Sequence, residues 1–184
     1  MRKDFGAKPY LFPQPVLIIG TYNEDGSANA MNAAWGGIAG ADEIIIDLSR
    51  HKTTANILLK KAFTVSVGDV EHLAACDYVG LVSAKNEPRK MEKAGFTTTK
   101  SAFVNAPVIN ELPLTLECEL VKVIDGCKYL GVIKNVSADE CILGEDGTID
   151  PAKLRAISFD PVHHAYLELG EKVGSAFQDG AALK

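Results

Sequence analysis

The residues best equipped for chemistry lie together at Ser49-Arg50-His51-Lys52-Thr53-Thr54. They open a short apolar segment, Ala55–Lys61, that reads as a helix. A helix N-terminus offers backbone N–H groups with no internal partner and the positive end of the helix dipole. Two cations and three hydroxyls delivered to that point make an anion site. Charge-assisted hydrogen bonds are worth roughly 1.5–3 kcal/mol each, and a phosphate accepts several. The alternative is structural: Ser49, Thr53 and Thr54 cap the helix while Arg50 and Lys52 face water.

The elements that must position this cluster come immediately before it. Val16–Ile19 and Ala28–Ala34 are apolar runs on either side of Asn23-Glu24-Asp25-Gly26, where Gly26 supplies the positive φ of a tight hairpin with a bulge. A small-residue stretch carrying the single tryptophan, Trp35-Gly36-Gly37, leads to a strand over Glu43–Leu48 that reads as covered on both faces. Phe63–Val67 alternates like a half-buried strand. Val70–Val82 has helical spacing, and Lys85–Ala94 is a polar loop running into a short helix stopped by Gly95. Pro107 and Pro113 bracket a short segment, after which Leu114–Ile124 and Lys128–Val136 form a second hairpin around Asp125-Gly126. Cys141–Leu143 and Leu154–Phe159 are further strand candidates, with a turn at Gly144–Gly147. Prolines 9, 13 and 15 keep the first residues extended. About six or seven strands with two or three short helices predict a mainly antiparallel β barrel with peripheral helices rather than a regular strand–helix alternation.

Composition narrows the function. The 184 residues suit one domain, residues 1–184, able to bury about 70% of the unfolded chain's surface. A net charge of −5 argues against nucleic acid and suits a local basic pocket for a small anion. Glycines 36, 37 and 40 miss the G-x-G-x-x-G spacing, and no P-loop motif occurs. The four cysteines are widely spaced with no C-x-x-C pair, which predicts reduced thiols in a cytoplasmic protein. His72 and Cys76 could share a helix face, yet two ligands do not make a metal site. The N-terminal segment lacks the apolar core of a targeting peptide, and no apolar run nears the roughly 20 residues of a membrane span.

Three separated motifs, in order, carry a resemblance. Asn29-Ala30-Met31-Asn32-Ala33-Ala34-Trp35-Gly36-Gly37, then Ser49-Arg50-His51-Lys52-Thr53 with Asn56, then Ser83-Ala84-Lys85 through Lys90-Met91 to Ala94-Gly95-Phe96-Thr97 resemble the flavin reductase-like family, and its flavoredoxin-like branch in particular. Ala84 stands where that family usually has glycine, and Met91 where it has phenylalanine. The resemblance implies an FMN-binding split β-barrel of antiparallel, Greek-key type. It implies that Asn29, Ala30, Met31, Asn32 and Ala33 line the flavin ring, and that Ser49, Arg50, Lys52 and Thr53 take the phosphate with Asn56 nearby.

Around this implied site the alternatives stay open. Asn29 and Asn32 could instead serve turn and strand-end chemistry, and Trp35 packs on the ring or fills the core. Lys90, with Ser83 and Lys85, approaches the flavin from across the barrel or is a solvated helix lysine. Tyr78-Val79-Gly80 close over the ring edge, or Tyr78 is a core residue. His163, His164 and Tyr166 reach a substrate in a dimer partner, or are ordinary surface positions.

The implied activity is that of an NAD(P)H-dependent FMN oxidoreductase. Electrons would pass from NADH, NADPH or an electron-transfer protein to free flavin or another acceptor, with positive charge near the ring stabilising its reduced form. The resemblance also implies a homodimer, across which the tail Gly170–Lys184 could form an arm; a monomer whose tail packs on itself is the alternative. A non-catalytic flavin or small-ligand binding module is the alternative function.

Overall fold

A computed structural model describes residues 1–183. Its main sheet has seven strands, β2 (Leu17–Tyr22), β3 (Ala28–Ala33), β4 (Gly36–Ile38), β5 (Glu43–Asp47), β6 (Ala62–Val67), β9 (Leu114–Ile124) and β10 (Lys128–Ala138). It is antiparallel throughout, in the order β3-β2-β6-β9-β10-β5-β4. β1 (Gln14–Pro15), β11 (Ile157–Asp160) and β12 (Ala165–Glu168) make a small second sheet, and β7 (Thr98–Lys100) pairs with β8 (Pro107–Ile109). The helices are α1 (Lys52–Lys60), α2 (Leu73–Leu81), α3 (Lys90–Ala94) and α4 (Pro151–Leu154). The result is the mainly antiparallel split barrel with peripheral helices that the sequence leads one to expect.

The two edge strands of the main sheet, β3 and β4, are consecutive in the chain and separated only by Ala34 and Trp35. That link spans at most about 10 Å from Ala33 to Gly36, so the sheet must curl until its edges nearly meet. A seam is left where they face each other.

Period-two alternation then decides what fills each side of the sheet. Leu17 and Ile19 point into a core with Ile44, Ile46, Phe63 and Val65, whereas Val16 and Ile18 point the other way, into a core with Cys76, Val79, Phe96 and Ile109. β2 is therefore buried on both faces.

Both hairpins have the expected turns. Gly26 has φ +85°, and Asp125 and Gly126 have φ +50° and +73°.

Several elements differ from the sequence reading. β6 is buried on both faces rather than half-buried, because Thr64 donates to the carbonyl of Pro107 at 2.6 Å and Ser66 pairs with the Thr115 hydroxyl at 2.7 Å. β5 is covered on one face only: Ile44 and Ile46 are buried while Asp47 is exposed. Cys141–Leu143 is not a strand; Glu140–Ile142 is a 3-10 turn led by the Asp139 carboxylate, which accepts from the Cys141 N–H at 2.9 Å. Leu154 belongs to α4, capped by Asp150 with Pro151 in its first turn, so the strand there begins at Ile157. α1 starts at Lys52, which puts part of the polar cluster inside its first turn. No described helix is long and apolar enough to cross a membrane, and all four cysteines are free.

Asn56 ties α1 to the first hairpin. It is buried, and its amide donates to Thr21 Oγ1 at 3.0 Å and Asn23 Oδ1 at 2.9 Å. Asn56→Ala leaves both acceptors without that donor and is expected to cost about 1–3 kcal/mol, read as a lower urea midpoint with an unchanged slope.

Candidate functional site

A cavity of about 330 Å³ opens at the seam of the barrel. Its first wall is the edge of β3 and the link, Met31 through Trp35; a second is Asp47, Leu48, Ser49 and His51, leading from β5 into α1. Asp77, Gly80 and Leu81 of α2 form the third, and Phe159 and Tyr166 from the small sheet close the fourth. The absence of a side chain at Gly80 lets α2 lie this close to β3, since a Cβ there would sit 2.9 Å from the Cβ of Asn32.

A smaller chamber of about 190 Å³ continues from the first, sharing Met31, His51, Gly80 and Leu81 with it. It is lined on one side by Asn29, Lys52 and Thr53, and on the other by Ser83, Ala84 and Lys90. The first turn of α1 thus sits in its wall, with N–H groups that a helix cannot satisfy internally. Thr54 Oγ1 accepts from the His51 N–H at 2.9 Å and fixes the way into the helix.

Asn29 is fully buried between these parts, its amide donating to Thr53 Oγ1 at 2.8 Å and to Thr21 Oγ1 at 3.4 Å. Its carbonyl oxygen has no hydrogen-bond partner among the described residues. A buried acceptor left unmade costs about 1–3 kcal/mol, so this oxygen calls for a donor from an occupant of the chamber.

Lys90 is the other unusual group. It is 2% exposed, and Nζ donates to the carbonyls of Val79 at 3.1 Å and Val82 at 2.9 Å, the negative end of the α2 dipole. No carboxylate pairs with it among the described residues. Burial without a counter-ion pulls its pKa down to about 8. It is therefore not a solvated helix lysine.

In the larger cavity the Tyr166 hydroxyl donates to Asp77 Oδ1 at 2.7 Å, and burial and that carboxylate both raise its pKa. Asn32 donates to the carbonyl of Cys76 at 3.0 Å and lies 3.5 Å from the Tyr166 hydroxyl. Trp35 is 48% exposed at the rim, with Phe159 at 6.2 Å between ring centroids. It does not fill the core.

Of the residues expected from sequence, Met31, Asn32, Ala33, Trp35 and Ser49 line the larger cavity. Asn29, Lys52, Thr53, Ser83 and Lys90 line the smaller one. Ala30 is buried in the second core, Asn56 sits behind Thr21, and Arg50 is exposed and lines neither chamber. Tyr78 packs on the second core rather than over the cavity. Tyr166 lines the cavity of its own chain, while His163 pairs with Asp160 at 2.7 Å in the β11–β12 turn. His72 is likewise held by Asp69 at 2.9 Å. His51 belongs to the polar cluster Ser49–Thr54, whereas no motif marks Asp77, Leu81 or Phe159 as site residues. Asp77 lay within the helical stretch Val70–Val82 without a partner to mark it.

Comparison with known proteins adds a family. Residues 10–149 match the model described as the flavin reductase like domain. The fold is similar to flavoredoxin of Desulfovibrio vulgaris (Miyazaki F), at 33% identity and a TM-score of 0.94, covering 98% of this chain and 100% of that one. It is also similar to flavoredoxin from Methanosarcina acetivorans, at 24% identity and a TM-score of 0.87 over 100% and 98% of the two chains. An FMN-binding domain of a flavin reductases-like enzyme from Shewanella baltica superposes at a TM-score of 0.77, with 19% identity over 88% of this chain and 89% of that one.

The depressed pKa of Lys90 has a measurable consequence. Below about pH 8 the folded and unfolded chains both hold its proton and the fold bears the desolvation cost. From about pH 8 towards the free-lysine value of about 10.4 only the unfolded chain keeps it, so this group adds stability as pH rises. Cys76 and Cys118, pushed up to about 12 by burial, act in the opposite sense above their ordinary range. Denaturation of ligand-free protein should therefore show wild type gaining on Lys90→Met by on the order of 1 kcal/mol between about pH 8 and pH 9. A difference that stays flat contradicts the buried, unpaired lysine.

Proposed function

We propose that this chain, which belongs to the flavin reductase-like family, is an FMN-binding oxidoreductase of the flavoredoxin type. Electrons would come from NADH, NADPH or an electron-transfer protein and leave to free flavin or another acceptor. The observation that carries this reading is the continuity of a largely apolar cavity with a small chamber holding two lysines and a helix N-terminus. A planar ring with an anionic tail has that division of chemistry.

The residues present fit FMN. The unpartnered oxygen of Asn29 suits a ribityl hydroxyl, and Lys52, Thr53, Lys90 and the first turn of α1 suit a phosphate. Met31, Asn32 and Ala33 would present strand backbone and small side chains to the ring, with Ser49 near its edge and Trp35, Phe159 and Tyr166 shielding it from water. When bound, FMN supplies acceptance of hydride from a reduced nicotinamide and onward transfer of electrons. The chain's part is to position that group, exclude water and set its electrostatics.

A second copy of the chain is part of this proposal. Phe5, Leu11, Phe12, Val173 and Phe177 are more than half or nearly half exposed, on terminal segments outside the sheets. A homodimer in solution, seen by sedimentation, would bury them.

Two measurements test the function. Lys52→Ala is expected to weaken FMN roughly 10- to 100-fold while leaving riboflavin, which lacks the phosphate, nearly unchanged; Arg50→Ala, outside both chambers, should do much less. Equal weakening of both flavins would overturn the phosphate assignment. Anaerobic addition of NADH and, separately, NADPH to the FMN-loaded protein should bleach the visible flavin band with one of them. Bound flavin that stays oxidised with both would support a protein-fed carrier or a binding module instead.

A further inference from the structure

The larger cavity carries the opposite charge from the one expected beside a reduced flavin. Its formally charged lining residues are Asp47 and Asp77, and no lysine or arginine lines it; the lysines are confined to the smaller chamber. The two carboxylates are not equivalent. Asp47 is exposed at the end of β5 and lies near Lys128, which offsets its field. Asp77 is partly buried, belongs to no ion pair among the described residues, and has one carboxylate oxygen fixed by the Tyr166 hydroxyl at 2.7 Å. Asn32 in turn is anchored on the carbonyl of Cys76 and reaches the same hydroxyl. Three elements, α2, β12 and β3, therefore hold one uncompensated negative charge in the cavity wall.

We infer that Asp77 is a tuning residue of this site: held in place by Tyr166, it disfavours extra negative charge on the ring bound in the cavity and so makes that ring a stronger electron donor. The inference rests on the FMN reading above. Reduction adds electrons, and usually negative charge, to the ring. A fixed carboxylate at the wall of a semi-enclosed, apolar cavity acts on that charge with less screening than it would in water. Oxidised FMN should then bind more tightly than reduced FMN. On the ring's charge Tyr166 is a positioning residue, since it bears on that charge through Asp77.

The test compares the affinities of oxidised and reduced FMN, measured anaerobically, in wild type, Asp77→Asn and Tyr166→Phe. Asparagine keeps an acceptor for Tyr166 and removes the charge, so Asp77→Asn should shift the ratio at least about tenfold in favour of reduced FMN, equivalent to about 30 mV for a two-electron couple. Tyr166→Phe keeps the charge but frees the carboxylate from its anchor, so it should shift the ratio in the same direction by a smaller factor than Asp77→Asn does. The inference is overturned if Asp77→Asn binds FMN with the wild-type ratio, or if Tyr166→Phe raises it as much as Asp77→Asn does, which would assign the effect to packing. Failure of the wild type itself to bind FMN would overturn the cofactor reading instead.

Discussion

The structure depends on a short tether. Ala34 and Trp35 are the whole connection between the two edges of a seven-stranded sheet, and a chain that short cannot let the edges part. The sheet has to curl, and the β4–β5 ladder runs on into the tether, where the backbone N–H of Asp47 donates to the carbonyl of Trp35 at 2.8 Å. Closure is incomplete because β3 and β4 do not pair with each other. The seam so produced has strand edge on one side and the start of α1 on the other, and the cavity lies in it.

Charge is distributed along the cavity rather than averaged over it. The lysines gather where α1 begins and α2 ends, and the carboxylates stand at the wide end. Lys90 links the two regions, since the carbonyls it holds belong to the same stretch of α2 that supplies Gly80 and Leu81 to the wall. Asn29 and Asn56 do the corresponding work on the other side, fastening the first hairpin to α1 through Thr21, Thr53 and Asn23. Polar groups buried in this way fix geometry when all are satisfied. The unpaired oxygen of Asn29 leaves one demand for an occupant to meet.

Local chemistry made a good part of this legible. Gly26, Asp125-Gly126 and Gly95 sit at backbone conformations their residue types announce, and the long strands around the second hairpin follow from alternation and composition. The short strands β4, β7, β8 and β12 are three or four residues long and exist because a neighbour pairs with them; no local preference is strong enough at that length. Alternation alone puts Thr64 and Ser66 on an exposed face because their hydrogen-bond partners, Pro107 and Thr115, are far along the chain. The same holds in the site. Ser49, Lys52 and Thr53 were visible as a cluster, whereas Asp77 and Tyr166 are 89 residues apart and gain meaning only when the small sheet packs over α2. The strand assigned from Leu154 is a different case, since Asp150-Pro151 was a readable helix start.

The central claim is that one molecule occupies both chambers, ring in the wide one and phosphate in the narrow one. A crystal structure of the protein soaked or co-crystallised with FMN tests it most directly. The phosphate is expected at the first turn of α1 within hydrogen-bond reach of Lys52 and Thr53, a ribityl hydroxyl on the Asn29 oxygen, and the ring between Met31–Ala33 and the aromatic wall of Phe159 and Tyr166. Flavin density elsewhere on the molecule, or in the cavity with its phosphate turned out past Trp35 into solvent, would contradict it.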